Sequence, residues 1–179
     1  MNHEFLGRVL GVMSAREVYV AIEGLVNFDY HYWLQRGSLE VQMGDLGLAT
    51  QFLDQARSLS PDDYLVQTAY GYLLMRKANE HRDRQYAHDH LVEGIVVLED
   101  VIADKGKITP YPFHILGTQA LLWSREDRSM IGVAKREFLG DVLEQVKKGC
   151  EYHPWHQKLQ ELRVAIETEI LYSVTVKLH

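Results

Sequence analysis

Leu59-Ser60-Pro61-Asp62-Asp63-Tyr64 stands 34 residues after Leu25-Val26-Asn27-Phe28-Asp29-Tyr30, and Gly71 stands 34 after Gly37. A fixed period of this length is what stacked supersecondary units leave in a sequence. One such unit cannot bury its apolar face alone, so the units must stack on one another and leave a long surface open. That narrows the fold more than any other feature of the chain. It also points to recognition or assembly before catalysis.

The period is a helical one. Apolar residues recur at threes and fours in four segments: Ala49, Phe52, Ala56, Leu59; Ala87, Leu91, Ile95, Leu98, Ile102; Ala134, Phe138, Val142, Val146; and Trp155, Leu159, Leu162, Ile166, Ile170. Each set is one face of an amphipathic helix. Strand-like alternation is nearly absent. Three of the four prolines, Pro61, Pro110 and Pro154, fall where one helix pair should hand over to the next. Proline suits the first turn of a helix and breaks its interior. The expected architecture is all-α, stacked antiparallel hairpins in three to four units with a C-terminal capping helix.

Composition adds exclusions. The 179 residues are enough for one buried domain of several hairpins, and 46% hydrophobic with 25% charged residues is ordinary for a globular chain. A net charge of −6 supplies no basic stripe for a phosphate backbone, so nucleic acid is not expected. One cysteine, Cys150, makes no internal disulfide. No apolar run reaches the ~20 residues that a bilayer span needs. The first 11 residues carry charges within their apolar stretch and do not read as a signal peptide, so a reducing, cytoplasmic setting is expected.

The clearest unit runs from Tyr30 to about Asp63. Trp33, Gly37, Gly44-Asp45-Leu46, Ala49, Phe52-Leu53, Ala56 and Pro61 stand here in the order and spacing of the tetratricopeptide repeat, and the chain resembles that family, which implies that the hairpins stack as a right-handed superhelix. Gly37 and Ala49 are small where two helices approach, Ala56 is small where the next unit packs, and Trp33 fills the space between the helices. Gly44 ends the first helix through the left-handed conformation. Arg36 and Glu40 depart from the pattern, which prefers leucine and tyrosine there.

The expected domain is single and divides at 1–28, 29–61, 62–108, 109–153 and 154–179. Ser14-Ala15-Arg16-Glu17 reads as a capping box opening the second helix of a partial first unit, with Glu4 to Met13 as a shortened first helix. That suggests the terminal part of a longer solenoid, or a protein with an abbreviated first unit. The second unit keeps Gly71, then holds about a dozen extra residues around the polar stretch Asn79 to Gln85, by comparison with the family period. Lys105-Gly106-Lys107 closes its second helix. Thr109-Pro110 opens a divergent third unit with Gly117, whose second helix should run from Ser129 to about Tyr152. Pro154 should start a last helix with a charged outer face of Lys158, Glu161, Arg163 and Glu167.

Residues with chemistry do not assemble in the sequence. His88 and His90 lie at i and i+2, on different sides of a helix. His81 and His88 flank the polar stretch, and His153 and His156 straddle Pro154. None forms HExxH or a ligand set, so surface and capping roles are expected and no metal or cofactor. Cys150 reads as a small buried thiol despite Lys147 and Lys148 nearby. Paired carboxylates such as Asp62-Asp63 and Glu126-Asp127 sit at helix starts, where they complement the dipole. No catalytic residue is expected.

The family resemblance implies a groove along the first helices of successive units. It places His31, Leu34, Ser38 and Val41 there, then Thr68, Tyr72, Met75 and Arg76, then Tyr111, His114 and Thr118. This mixed lining lacks the basic and amide set with which some family members clamp a peptide carboxylate. The expected function is a protein–protein interaction or self-assembly module binding a partner segment, without nucleic acid or membrane. The N-terminal hairpin, through Val18, Ile22 and Leu25, is the expected route to a homo-oligomer. The alternative is a peptide- or ligand-sensing regulatory domain of a larger bacterial protein, resembling the helical-repeat tails that follow NTPase or sirtuin-like domains.

Overall fold

A computed structural model describes residues 3–81, 83–127 and 130–175, with side chains within 15–173. Every regular element among them is a helix: α1 His3–Val26, α2 Tyr30–Met43, α3 Leu46–Leu59, α4 Tyr64–Glu80, α5 Arg84–Lys105, α6 Tyr111–Glu126, α7 Gly132–Tyr152 and α8 Gln157–Thr175. The chain divides into two compact units, residues 1–69 and 70–179, with the border inside α4.

In the first unit, the 34-residue period proves to be a spacing of helix caps. Asp29 accepts from the backbone N–H of His31 at 2.9 Å and starts α2. Asp63, one period later, accepts from Leu65 and Val66 at 2.9 and 3.1 Å and starts α4. Each carboxylate satisfies N–H groups that a helix N-terminus leaves without intrahelical partners. Tyr30 then donates its hydroxyl to Asp63 at 3.1 Å, tying one cap to the next.

The α2–α3 hairpin turns through Gly44 and Asp45. Gly44 takes φ 81°, which costs an L-residue dearly and glycine little, and its N–H returns to the carbonyls of Glu40 and Val41. Asp45 caps α3 by accepting from Leu48 at 3.1 Å. The helices then meet closely: a methyl on Gly37 would lie 2.5 Å from Leu53 Cγ. Ala49, Leu53 and Ala56 are fully buried. Trp33 stacks on Phe52 at 5.8 Å and donates its indole N–H to the Asn27 carbonyl at 2.7 Å.

Arg36 and Glu40 both pair with α1. Glu40 is 3% exposed and pairs with Arg16 of α1, while Arg36 reaches Glu23 of α1 at 2.5 Å. Arg36 also lies 4.0 Å over the Phe52 ring. Where the family pattern has apolar side chains, this chain joins α1 to α2 by charge.

One expectation at the start of the chain is corrected. α1 runs unbroken through residues 14–17, so no helix begins at Ser14, and the shortened first helix and its successor are one element. The second hairpin carries its extra residues in its helices, α4 of 17 and α5 of 22 residues. Gly106 closes α5, in a right-handed conformation with φ −58°. Its small size matters: a methyl there would meet the Ile102 carbonyl at 2.5 Å and Phe113 at 2.9 Å.

The second unit buries one continuous core from Met75, Leu91 and Leu98 through Phe113 and Leu116 to Leu139, Val146, Leu159 and Ile166. The close-approach device of the first hairpin recurs: a methyl on Gly71 would lie 2.8 Å from Leu98, and one on Gly117 2.7 Å from both Val146 and Leu162. α6 packs against α5, α7 and α8. Glu169 of α8 binds Arg125 of α6 at 2.7 Å and Lys135 of α7 at 2.6 Å. Buried His153 donates its Nε2–H to the Gly106 carbonyl at 2.7 Å, and so joins the segment after α7 to the one after α5.

The last two boundaries shift. The expected start of α7 at Ser129 lies outside the described residues, and the helix is described from Gly132. α8 begins at Gln157, three residues after Pro154, because residues 154 and 155 form a turn. Trp155 therefore leaves the apolar face assigned to it and is 72% exposed.

Candidate functional site

The residues expected along a groove separate by burial. On the first unit, His31 is exposed and its ring stands 3.0 Å from the Asp29 carboxylate, so it belongs to the cap of α2 as much as to the surface. Ser38 is partly exposed. Leu34 and Thr68 are both 8% exposed, Val41 is fully buried, and Thr68 spends its hydroxyl on the Tyr64 carbonyl at 2.6 Å. Those three are corrected from surface to interior.

On the second unit, Met75 is fully buried in the core, where its thioether chain fills the space beside Gly94. It too leaves the expected set. Tyr72 and Arg76 stay partly exposed on α4, and Arg76 stands 3.4 Å from the Tyr72 hydroxyl and pairs with Glu80. Residues 72, 76 and 80 share one helical stripe at i, i+4 and i+8. On α6, His114 and Thr118 are partly exposed at the same spacing, and Tyr111 is 63% exposed.

α4 and α6 are held at a fixed register. The Asn79 amide donates to the Gln119 side chain at 2.9 Å and to the Gln119 carbonyl at 3.3 Å, and Gln119 is 5% exposed. Gln119 is the buried member of the pair, and a shifted register would take the Asn79 donor away from its side chain.

Electrostatically the two stripes are near neutral. Burial, together with the nearby His156 and Lys158, pushes His114 below the usual histidine range, so at neutral pH it carries no charge. Burial opposes the charge of Arg76, yet the hydrogen bonds it donates to Glu80 and Tyr72 hold its pKa above the ordinary value. The cation is thus already answered by its own helix.

The histidines take local aromatic and capping contacts. His81 meets Tyr86 at 4.2 Å and Tyr86 meets His90 at 4.2 Å, so His81 pairs with that stack and not with His88. The His81 Nδ1 accepts from the Asp83 N–H at 3.1 Å, and the His156 Nδ1 from that of Leu159 at 3.3 Å. Among the described residues, no three histidine, cysteine or acidic side chains gather as a metal site. Cys150 is 6% exposed, and burial pushes its thiol up, away from reactivity.

Sequence reasoning missed one surface. The turn before α8 presents Trp155 over an open hollow of about 430 Å³ lined by His156, Gln157, Lys158 and Glu161. Its signal was the Pro154-Trp155 pair, which the helical period hid by placing Trp155 one turn above Leu159. Among the described residues, no helix is long and apolar enough to cross a membrane. No family model, curated protein or solved structure matches this chain.

Proposed function

We propose that the chain is a protein–protein interaction module of stacked, tetratricopeptide-like helix hairpins, which holds a partner segment along the first helices of successive hairpins. One observation carries this reading. Tyr72 and Arg76 on α4, and His114 and Thr118 on α6, keep accessible polar and aromatic groups on two helices that the Asn79–Gln119 pair locks in register. A fixed register of aromatic and hydrogen-bonding groups can read an extended or helical segment without paying to order itself first. The neutral lining suits a segment of mixed polarity better than a terminal carboxylate. The repeated glycine-on-leucine contact of Gly37 with Leu53 and Gly71 with Leu98 supports the superhelical part of the reading.

The test is a double substitution, Tyr72→Ala with His114→Ala, in the full chain carrying an affinity tag. The variant should lose the proteins that the parent retains, with its far-ultraviolet dichroism unchanged. Retention of the same proteins by the variant removes this face as the binding surface.

A further inference from the structure

We propose that the hollow beside Trp155 binds an acidic peptide segment of a partner protein. The turn before α8 holds an indole in water and holds it firmly. Trp155 is 72% exposed, yet its ring meets His153 at 5.8 Å and His156 at 5.7 Å, both edge to face. His153 is itself buried and bound to the Gly106 carbonyl, so the indole stands on a fixed base. A tryptophan of set orientation offers a large apolar area at little cost in conformational entropy. The open hollow of about 430 Å³ at its side has room for a few residues of an extended chain.

Charge names the occupant. The chain carries −6 overall, but the cations at this hollow are unanswered. Lys158 lines it and forms no ion pair among the described residues. The His156 Nδ1 accepts the Leu159 N–H, which leaves its Nε2 as a donor. His114 of α6 stands 6.1 Å from His156. Burial first, then the charges of His156 and Lys158, disfavour its protonated form, and no carboxylate acts on it in return. Lys107 and Lys148, over the Tyr152 ring at 5.7 and 5.9 Å, add positive charge at the same end of the unit against the exposed Glu151. An entering carboxylate supplies the missing partner. Glu161, which accepts from Gln157 at 2.7 Å, lines the same hollow. Its carboxylate suits the N–H groups of a peptide backbone and repels the continuous charge of a nucleic acid. His114 is shared with the α4–α6 face, but Trp155 and Lys158 lie off that face, so this proposal does not rest on that reading.

An array of random dodecapeptides probed with the full chain should retain sequences enriched in aspartate and glutamate. For the peptide best retained, Trp155→Ala and Lys158→Glu should each weaken binding about tenfold or more in a fluorescence-polarisation titration. Both side chains are exposed, so the far-ultraviolet dichroism of the variants should match the parent. Tyr72→Ala should bind that peptide as the parent does, which separates the hollow from the α4–α6 face. Four results overturn the proposal: retained peptides without acidic enrichment, unchanged affinity in either hollow variant, loss of the peptide by Tyr72→Ala, or tighter binding of an oligothymidylate of the same length.

Discussion

Met75 shows how a residue's periodicity and its role can part. At i+3 from Tyr72 it reads as a surface neighbour, yet it is fully buried, because the close approach at Gly94 pulls that side of α4 against α5. Met75→Ala should therefore cost about 2–5 kcal/mol, as a large-to-small core change does, where Tyr72→Ala costs far less. Chemical denaturation of the two single variants separates the roles. Glu169 carries a second residue-level consequence. Burial alone raises its pKa, but the hydrogen bonds from Lys135 and Arg125 outweigh it and hold the carboxyl below the ordinary value. A depressed folded pKa adds stability above the unfolded value, near pH 4.3, which is lost as pH falls through the folded one. Glu169→Gln should flatten the acid limb of the stability curve and leave its neutral to basic side sloping as before.

Element boundaries were legible wherever capping chemistry was local. Asp29, Gly44, Asp45 and Asp63 announce α2, α3 and α4 within a residue or two, because each side chain or left-handed glycine acts on its own neighbours. Ser14 offered the same chemistry and produced no boundary: apolar and helix-favouring residues continue on both sides, and an unbroken helix keeps its hydrogen bonds where a cap would surrender them. Which residues of the first helices stay exposed was less legible, since Leu34, Thr68 and Met75 differ from their exposed neighbours only in what packs over them. Glu40 could not be read at all without α1. Its burial beside Arg16 makes a prediction at this scale. Arg16→Ala should destabilise by about 1–3 kcal/mol, the cost of a buried acceptor left unsatisfied. Adding Glu40→Tyr, the residue of the family pattern, should recover most of the loss. A double-mutant cycle in thermal unfolding checks both.

Taken whole, the chain has helical segments throughout but an uneven distribution of core. Fully buried leucine, phenylalanine and isoleucine run continuously from Leu98 through Phe113 to Ile166 in the second unit, whereas α1 is joined to α2 through charged and tyrosine side chains. Local opening follows the density of buried apolar contact. In native-state hydrogen exchange, amides of α5, α6 and α7 should be the slowest and those of α1 the fastest of the eight helices. Slowest exchange in α1 would overturn this ordering. The all-helical class was plain from the sequence because four separate segments repeat one period. The division at residue 69 was not, because it falls within a helix whose own pattern is continuous.

The turn that moved Trp155 out of α8 has an optical consequence. The three tryptophans occupy three different settings: Trp155 is 72% exposed, Trp123 7%, and Trp33 is partly covered against Phe52. Their emission should be separable without any label, red-shifted and readily quenched by acrylamide for Trp155, blue-shifted and protected for Trp123. Trp155→Phe should remove most of the quenchable fraction while sparing the protected one. The native chain thus carries one fluorophore that watches solvent and another that watches the core.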